Sequence, residues 1–214
     1  MKIIKPYFDV YEDLTDPVVT DRMLMKLEKI GRTCYKSEVR DDTVAAGKFV
    51  RKLIEHGHEA MLEHVSISVK FVVDRGVSHE LVRHRMASFA QESTRYCNYS
   101  KDKFGNELTF IEPFFLTEDS PQFSEWVGAM LTAETVYLRM LSDGSKPEEA
   151  RAVLPNSLKT EVWMTCNLRE WRHVMKLRAA GTTGKPHPQM AEVMVPLLEY
   201  FKTYLPDVFF DLGG

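Results

Sequence analysis

The chain has 214 residues, 44% of them hydrophobic, with 28 Lys+Arg against 31 Asp+Glu for a net charge of −3. That balance is typical of a soluble globular protein and excludes a disordered tail protein, a disulfide miniprotein and a bulk nucleic-acid coat. A chain this long buries roughly 70% of its unfolded surface and needs neither disulfide nor metal to complete a core.

Residues 3–12, with Ile3, Ile4, Tyr7, Phe8, Val10 and Tyr11, predict a weak opening strand. Asp16-Pro17 reads as an N-cap followed by proline at the first helical position, and the apolar stripe from Val18 to Ile30 predicts a helix ending near Gly31. A second helix is expected from Asp42 to about His56, closed by Gly57. Val65, Ile67, Val69, Phe71 and Val73 recur with a period of two, the clearest strand signal in the chain. A short helix around Val77–Val82 leads into a basic segment after Arg83, and residues 100–107 form a polar loop before a short strand at Leu108–Ile111.

Ser120-Pro121 opens a long amphipathic helix to about Ser142, stopped by Gly144, and Pro147 restarts a short one to Leu154. Leu158–Thr165 leans toward strand and Leu168–Leu177 toward helix. After the loop 179–188 a final helix runs from about Met190 to Tyr204, with Pro196 expected to kink it. With no internal repeat or linker, these elements predict an α+β fold in one domain over residues 1–214. Cys34, Cys97 and Cys166 form no C-x-x-C pair, so neither a disulfide framework nor a structural zinc site is signalled, and a reducing, cytoplasmic setting is the simplest reading. The opening MKIIKPYFDVYED turns acidic before a signal-peptide core develops, and no apolar run approaches the roughly 20 residues of a spanning helix.

The most unusual segment, residues 83–96, reads RHRMASFAQESTRY and gathers arginines, a histidine, serines and a tyrosine within a net-acidic protein. Arginine offers a fixed fork of donors suited to phosphate, and hydroxyls complete such a cradle. A solvated basic face paired with carboxylates is the alternative, although an apolar strand and Leu81-Val82 deliver this segment from the expected core. The cluster HGHEAMLEH at 56–64 invites a metal. H-E-x-x-H, however, would need histidine where Leu62 stands, and His56 and His58 fall on different faces of a helix, so no metal is expected. In CNLREWRHVMKLR, Asn167 can cap a helix whose Arg169, His173 and Lys176 share a face, with Arg178 near its end. An exposed basic face complementing the helix dipole is the competing reading. No Walker loop, Rossmann glycine motif or G-x-S-x-G elbow occurs, and no cysteine sits in a nucleophile's context.

Arg83-His84-Arg85 followed by Ser93, Arg95 and Tyr96 resembles the signature of the flavin-dependent thymidylate synthases. R-T-C-Y at 32–35, G-H-E and E-H at 57–64, Ala150-Arg151 with Leu154-Pro155, N-x-R at 167–169 and Leu177-Arg178 resemble further family segments, in order along most of the chain. The resemblance implies a mostly antiparallel sheet flanked by long helices, assembled as a homotetramer with active sites shared between subunits. It implies synthesis of dTMP from dUMP with FAD as cofactor, methylenetetrahydrofolate as carbon donor and NADPH as reductant, without nucleic acid or membrane partners. His58, Arg83, His84, Arg85, Gln91, Asn167, Arg169 and His173 resemble FAD-contacting positions. Glu80, Arg83, Gln91, Glu92, Ser93, Thr94, Arg95 and Arg151 resemble the dUMP pocket. Arg178 resembles the catalytic arginine, which would stabilise negative charge on the uracil as C5 becomes nucleophilic. Ala60 stands where some relatives have threonine, His173 where some have asparagine, and the 179–188 loop is longer than in some. Two rivals use the same residues: a non-catalytic nucleotide or RNA binder, disfavoured by the acidic net charge, and a flavoenzyme that does not bind dUMP.

Overall fold

The N-terminal residues form two strands instead of one, β1 (Lys2–Ile4) and β2 (Tyr7–Val10), in a computed structural model that describes residues 1–40, 42–101 and 105–213. Pro6 lies between them and has no N–H for a ladder. Helix α1 (Pro17–Tyr35) starts as predicted, with the Asp16 carboxylate accepting from the Val18 N–H, but runs past Gly31 to a left-handed cap at Lys36. Gly31 does not stop the helix because its role is spacing: a Cβ there would lie 2.7 Å from the Phe49 ring on α2 (Thr43–Glu55). Asp42 caps α2 and Gly57, at φ +72°, turns the chain out of it, both as expected. A 3-10 turn over Glu59–His64 then leads into β3 (Ser66–Asp74) and α3 (Arg75–Leu81).

The basic segment contains a strand that periodicity did not mark, β4 (Ser88–Gln91). Residues 102–104 of the predicted polar loop lie outside the described residues. β5 (Thr109–Ile111), α4 (Pro121–Ser142) and α5 (Pro147–Ala150) follow, the last continued by a 3-10 turn at Arg151–Val153. β6 (Lys159–Asn167) passes directly into α6 (Leu168–Arg178). The last long helix, α7 (Pro188–Tyr204), contains Pro196, and a short α8 (Pro206–Phe209) is the last helix among the described residues.

The strands form a four-stranded sheet ordered β2-β3-β6-β4 and a separate pair, β1-β5. β3 and β6 are antiparallel: Leu168 N–H donates to Val65 C=O at one end and Arg75 N–H to Leu158 C=O at the other. The small sheet is parallel, with Lys2, Ile3 and Ile4 opposite Thr109, Phe110 and Ile111, so parallel pairing joins the antiparallel sheet that was expected.

Contacts gather the chain into two compact units, Met1–Tyr7, Phe71–Arg83 and Phe89–Val162 in one, Phe8–Lys70, His84–Ser88 and Trp163–Gly214 in the other. The first centres on Leu108, Phe110, Met130, Tyr137 and Leu158, and the buried carboxylate of Glu134 on α4 accepts from the Leu108 N–H. The second packs Trp171 edge-on to Phe201, which stacks on Phe209 with ring centroids 4.9 Å apart. Trp171 also donates its indole N–H to Ile67 C=O, the partner a buried indole requires. Among the described residues no helix is long and apolar enough to cross a membrane.

Candidate active site

In the first unit the candidate residues start where β3 turns into α3. Asp74 accepts from the Val77 N–H, capping a helix that carries Ser78 and Glu80, and the Arg83 N–H closes it on Glu80 C=O. Arg83 itself is exposed. Gln91, at the end of β4, donates through Nε2 to the hydroxyls of Ser78 and Thr160 at 2.9 and 3.2 Å. Those two bonds use both amide hydrogens and fix which way the amide points. Glu92 is committed to this unit: one oxygen accepts from the Tyr99 hydroxyl at 2.8 Å and the other from Lys159 Nζ at 3.1 Å.

Burial, then the Glu92 charge, pushes the Tyr99 phenol far up, so it remains a donor. Burial opposes the charge on Lys159, but its bond to Glu161 and the neighbouring Glu92 outweigh this and raise its pKa. Residues 93–97 make a tight turn in which Ser93 C=O accepts from the Tyr96 and Cys97 N–H groups and Ser93 Oγ from the Arg95 N–H. Thr94 is buried in this turn. The exposed Arg95 pairs with Glu148 at 2.8 Å and lies over the Tyr96 ring. Arg151 is exposed just beyond α5.

In the second unit α6 organises the chemistry. The Asn167 side chain accepts from the Glu170 N–H and sets the helix start. From there Glu170, His173, Lys176 and Arg178 follow, while Trp171, Arg172, Val174 and Met175 are buried. His84, with 5% of its surface exposed, meets three of these. Its Nδ1 is 3.6 Å from the Glu170 carboxylate, its ring lies edge-on to His173, and its Nε2 accepts from Arg178 Nε–H at 3.2 Å. Burial raises the Glu170 carboxyl above its ordinary range, with the His173 charge opposing. His84, Glu170 and His173 bring possible metal-ligand atoms within 4.8 Å of one another, a grouping the sequence did not disclose. The Arg178 guanidinium against His84 puts a fixed positive charge beside that group, which opposes a cation there.

A cavity of about 420 Å³ opens beside α6, lined by Glu59, Glu63, Met86, Arg169, His173 and Lys176 among others. Arg169 pairs with Glu63 at 2.6 Å, and Lys176 approaches Glu59 at 3.9 Å. His58 lies apart from this group. It meets the Tyr35 hydroxyl at 3.0 Å on the wall of a larger cavity of about 700 Å³ between α1 and α2. Arg85 is exposed. The structure thus brings His84, His173 and Arg178 together and adds Glu170. Sequence reasoning missed Glu170 because an acidic residue three positions after a capping Asn reads as a helix-start signal.

Residues 19–207 match the family model described as thymidylate synthase complementing protein. A flavin-dependent thymidylate synthase from Geobacter sulfurreducens is 31% identical over 85% of this chain and 78% of its own length. One from Corynebacterium efficiens is 32% identical over 86% of this chain and 78% of its own length. The chain spans about half the length of a relative from Thermococcus kodakarensis, 36% identical over 60% of this chain and 52% of that protein. A solved UMP/dUMP methylase, PolB from Streptomyces cacaoi, shares the fold with a TM-score of 0.77 at 21% identity, over 98% of this chain and 96% of that one. With a family model matching nearly its whole length and relatives above 30% identity, the chain belongs to the flavin-dependent thymidylate synthases, a family of methyltransferase enzymes.

Proposed function

We propose that this protein is a cytoplasmic enzyme that reductively methylates dUMP to dTMP. Methylenetetrahydrofolate donates the carbon and NADPH the two electrons, through FAD. By electron balance the folate leaves as tetrahydrofolate and NADPH as NADP⁺. The working form is a homotetramer with active sites shared between subunits, in which residues 1–214 act as one domain. The observation that carries this reading is the Arg178 guanidinium, held by His84 at the end of α6 in a chain of this family.

In this reading Arg178 lies against the uracil and stabilises the negative charge that develops on it. A guanidinium stays charged at neutral pH, so its role is electrostatic, not that of a base. Arg83, Arg95, Arg151 and Ser93 bind the phosphate, and Glu80, Gln91, Glu92 and Thr94 shape the remainder of the dUMP pocket. Gln91 and Glu92 support this through fixed side chains: neither has to reorganise when a ligand arrives.

The residues present fit a flavin dinucleotide. Arg169 and His173 are exposed donor groups suited to a pyrophosphate, Met86 offers apolar surface in the cavity they line, and Arg85 is a further exposed cation. His58, Arg83, His84, Gln91 and Asn167 complete the proposed FAD contacts. When bound, the flavin supplies electron-pair transfer that no side chain provides. Burial, and then Glu170, pushes the Cys166 thiol far up, which supports chemistry without a thiolate nucleophile.

The test is the visible spectrum of FAD-reconstituted protein during dUMP titration. Flavin bands that shift with dUMP are expected. Protein that refuses FAD returns the reading to a nucleotide-binding protein, and flavin indifferent to dUMP points to a different flavoenzyme.

A further inference from the structure

We infer that Glu170 is a positioning residue that acts through His84 to aim Arg178. The inference rests on the reading of Arg178 given above. Arg178 donates its Nε–H to His84 Nε2, so that nitrogen must be the acceptor. A neutral imidazole has one acceptor and one donor nitrogen, which puts the ring hydrogen on Nδ1. Nδ1 faces the Glu170 carboxylate at 3.6 Å, with side-chain exposures of 5% and 12% for the two residues. A carboxylate beside the donor nitrogen favours that tautomer and raises the electron density on Nε2, the atom that holds Arg178.

The chain of contacts is closed at both ends of one helix. Asn167 fixes the start of α6 by accepting from the Glu170 N–H, so the carboxylate is placed by a rigid turn. Arg178 is the last residue of the same helix. Two helical turns separate them, a rise of about 12 Å, and His84 spans the gap from outside the helix. An arginine at a helix end has many rotamers. One bond from Nε to a buried, oriented ring selects among them. Among the described residues Glu170, His173 and Arg178 face His84, and of these three Glu170 is the one that can carry negative charge.

Glu170→Gln is a mild test because it keeps side-chain volume and leaves the backbone cap to Asn167 intact. Burial already disfavours the ionised carboxyl, so neutralising it does not endanger the fold. The first readout is hydrogen exchange of the Arg178 Nε–H by ¹⁵N NMR in flavin-free protein, assigned with Arg178→Lys. Exchange about tenfold faster in Glu170→Gln is expected, and unchanged exchange overturns the inference. The second is a double-mutant cycle on turnover. Glu170→Gln should lower kcat about tenfold and change the dUMP KM by less than about twofold, and in the Arg178→Lys background it should have almost no further effect. Additive losses would assign Glu170 a role independent of Arg178 and overturn the inference. If wild-type protein shows no dUMP turnover, the functional reading fails, while the exchange measurement still decides the contact chain.

Discussion

Asp211 grips Arg172 with both carboxylate oxygens, Oδ1 to Nη1 and Oδ2 to Nη2, each at 2.7 Å. The Arg172 side chain is only 1% exposed, and its remaining N–H groups go to Glu59 and to Val208 C=O. All five guanidinium hydrogens are therefore used, which makes this burial tolerable. The pair ties α6 to the segment that follows α8.

Asp211→Ala is expected to lower stability by about 2–3 kcal/mol at pH 7, read as a shift of the urea midpoint, because it strands part of a buried charge. The Arg172 bond holds the Asp211 carboxyl below its ordinary range. A depressed carboxyl contributes its stability above the unfolded value, near about 3.9, and loses it as pH falls through the folded one. Wild type and Asp211→Ala should therefore converge in stability below that range. A constant gap down to the acid transition would show that the ion pair is not the source.

Gly31 is required by the contact between α1 and α2. Gly31→Val should be strongly destabilising, and Gly31→Ala should lose about 1 kcal/mol net, as crowding against Phe49 and Leu53 outweighs the gain in helix propensity. Thermal unfolding of Gly31→Ala with and without Phe49→Leu checks the cause. Phe49→Leu should cost less in the alanine background, and equal costs would place the effect elsewhere.

Replacing Cys34 and Cys97 by serine and Cys166 by alanine should leave dTMP formation intact. Cys166 is buried, so its truncation costs about 1–2 kcal/mol of stability without removing a reactive group. A folded, flavin-loaded triple variant with no turnover would reinstate a thiol in the chemistry.

Arg178→Lys keeps the charge but loses the planar fork. We expect kcat to fall about a hundredfold with the urea midpoint unchanged. Normal turnover in this variant would remove Arg178 from the chemistry.

Features written in neighbouring residues were legible in the sequence. Asp16-Pro17, Asp42 and Ser120-Pro121 start helices where their cap chemistry requires, and the alternation from Val65 to Val73 became β3. Features set by distant contacts were not. Gly31 resembles a helix stop until Phe49 is seen beside it, and β1 gives no hint that its mate is β5, more than a hundred residues away and parallel. The candidate site divides in the same way. The arginines of 83–95 and the polar face of 167–178 stood out by composition. The bond between Arg178 and His84, 94 positions apart, and the presence of Glu170 beside them depend on where α6 lies.

The helix that presents Glu170, His173 and Arg178 cannot roll. Trp171 is pinned to the Ile67 carbonyl and Arg172 to Asp211, so rotation by even one residue step, about 100°, would break both anchors. A ligand arriving beside His173 therefore meets a wall with no hinge in it. Accommodation falls to the outward arms of Arg169 and Lys176 and to the exposed stretch 182–185. Recognition along this face works by fit to a preset surface, and the entropy of arranging it was already lost when the chain folded.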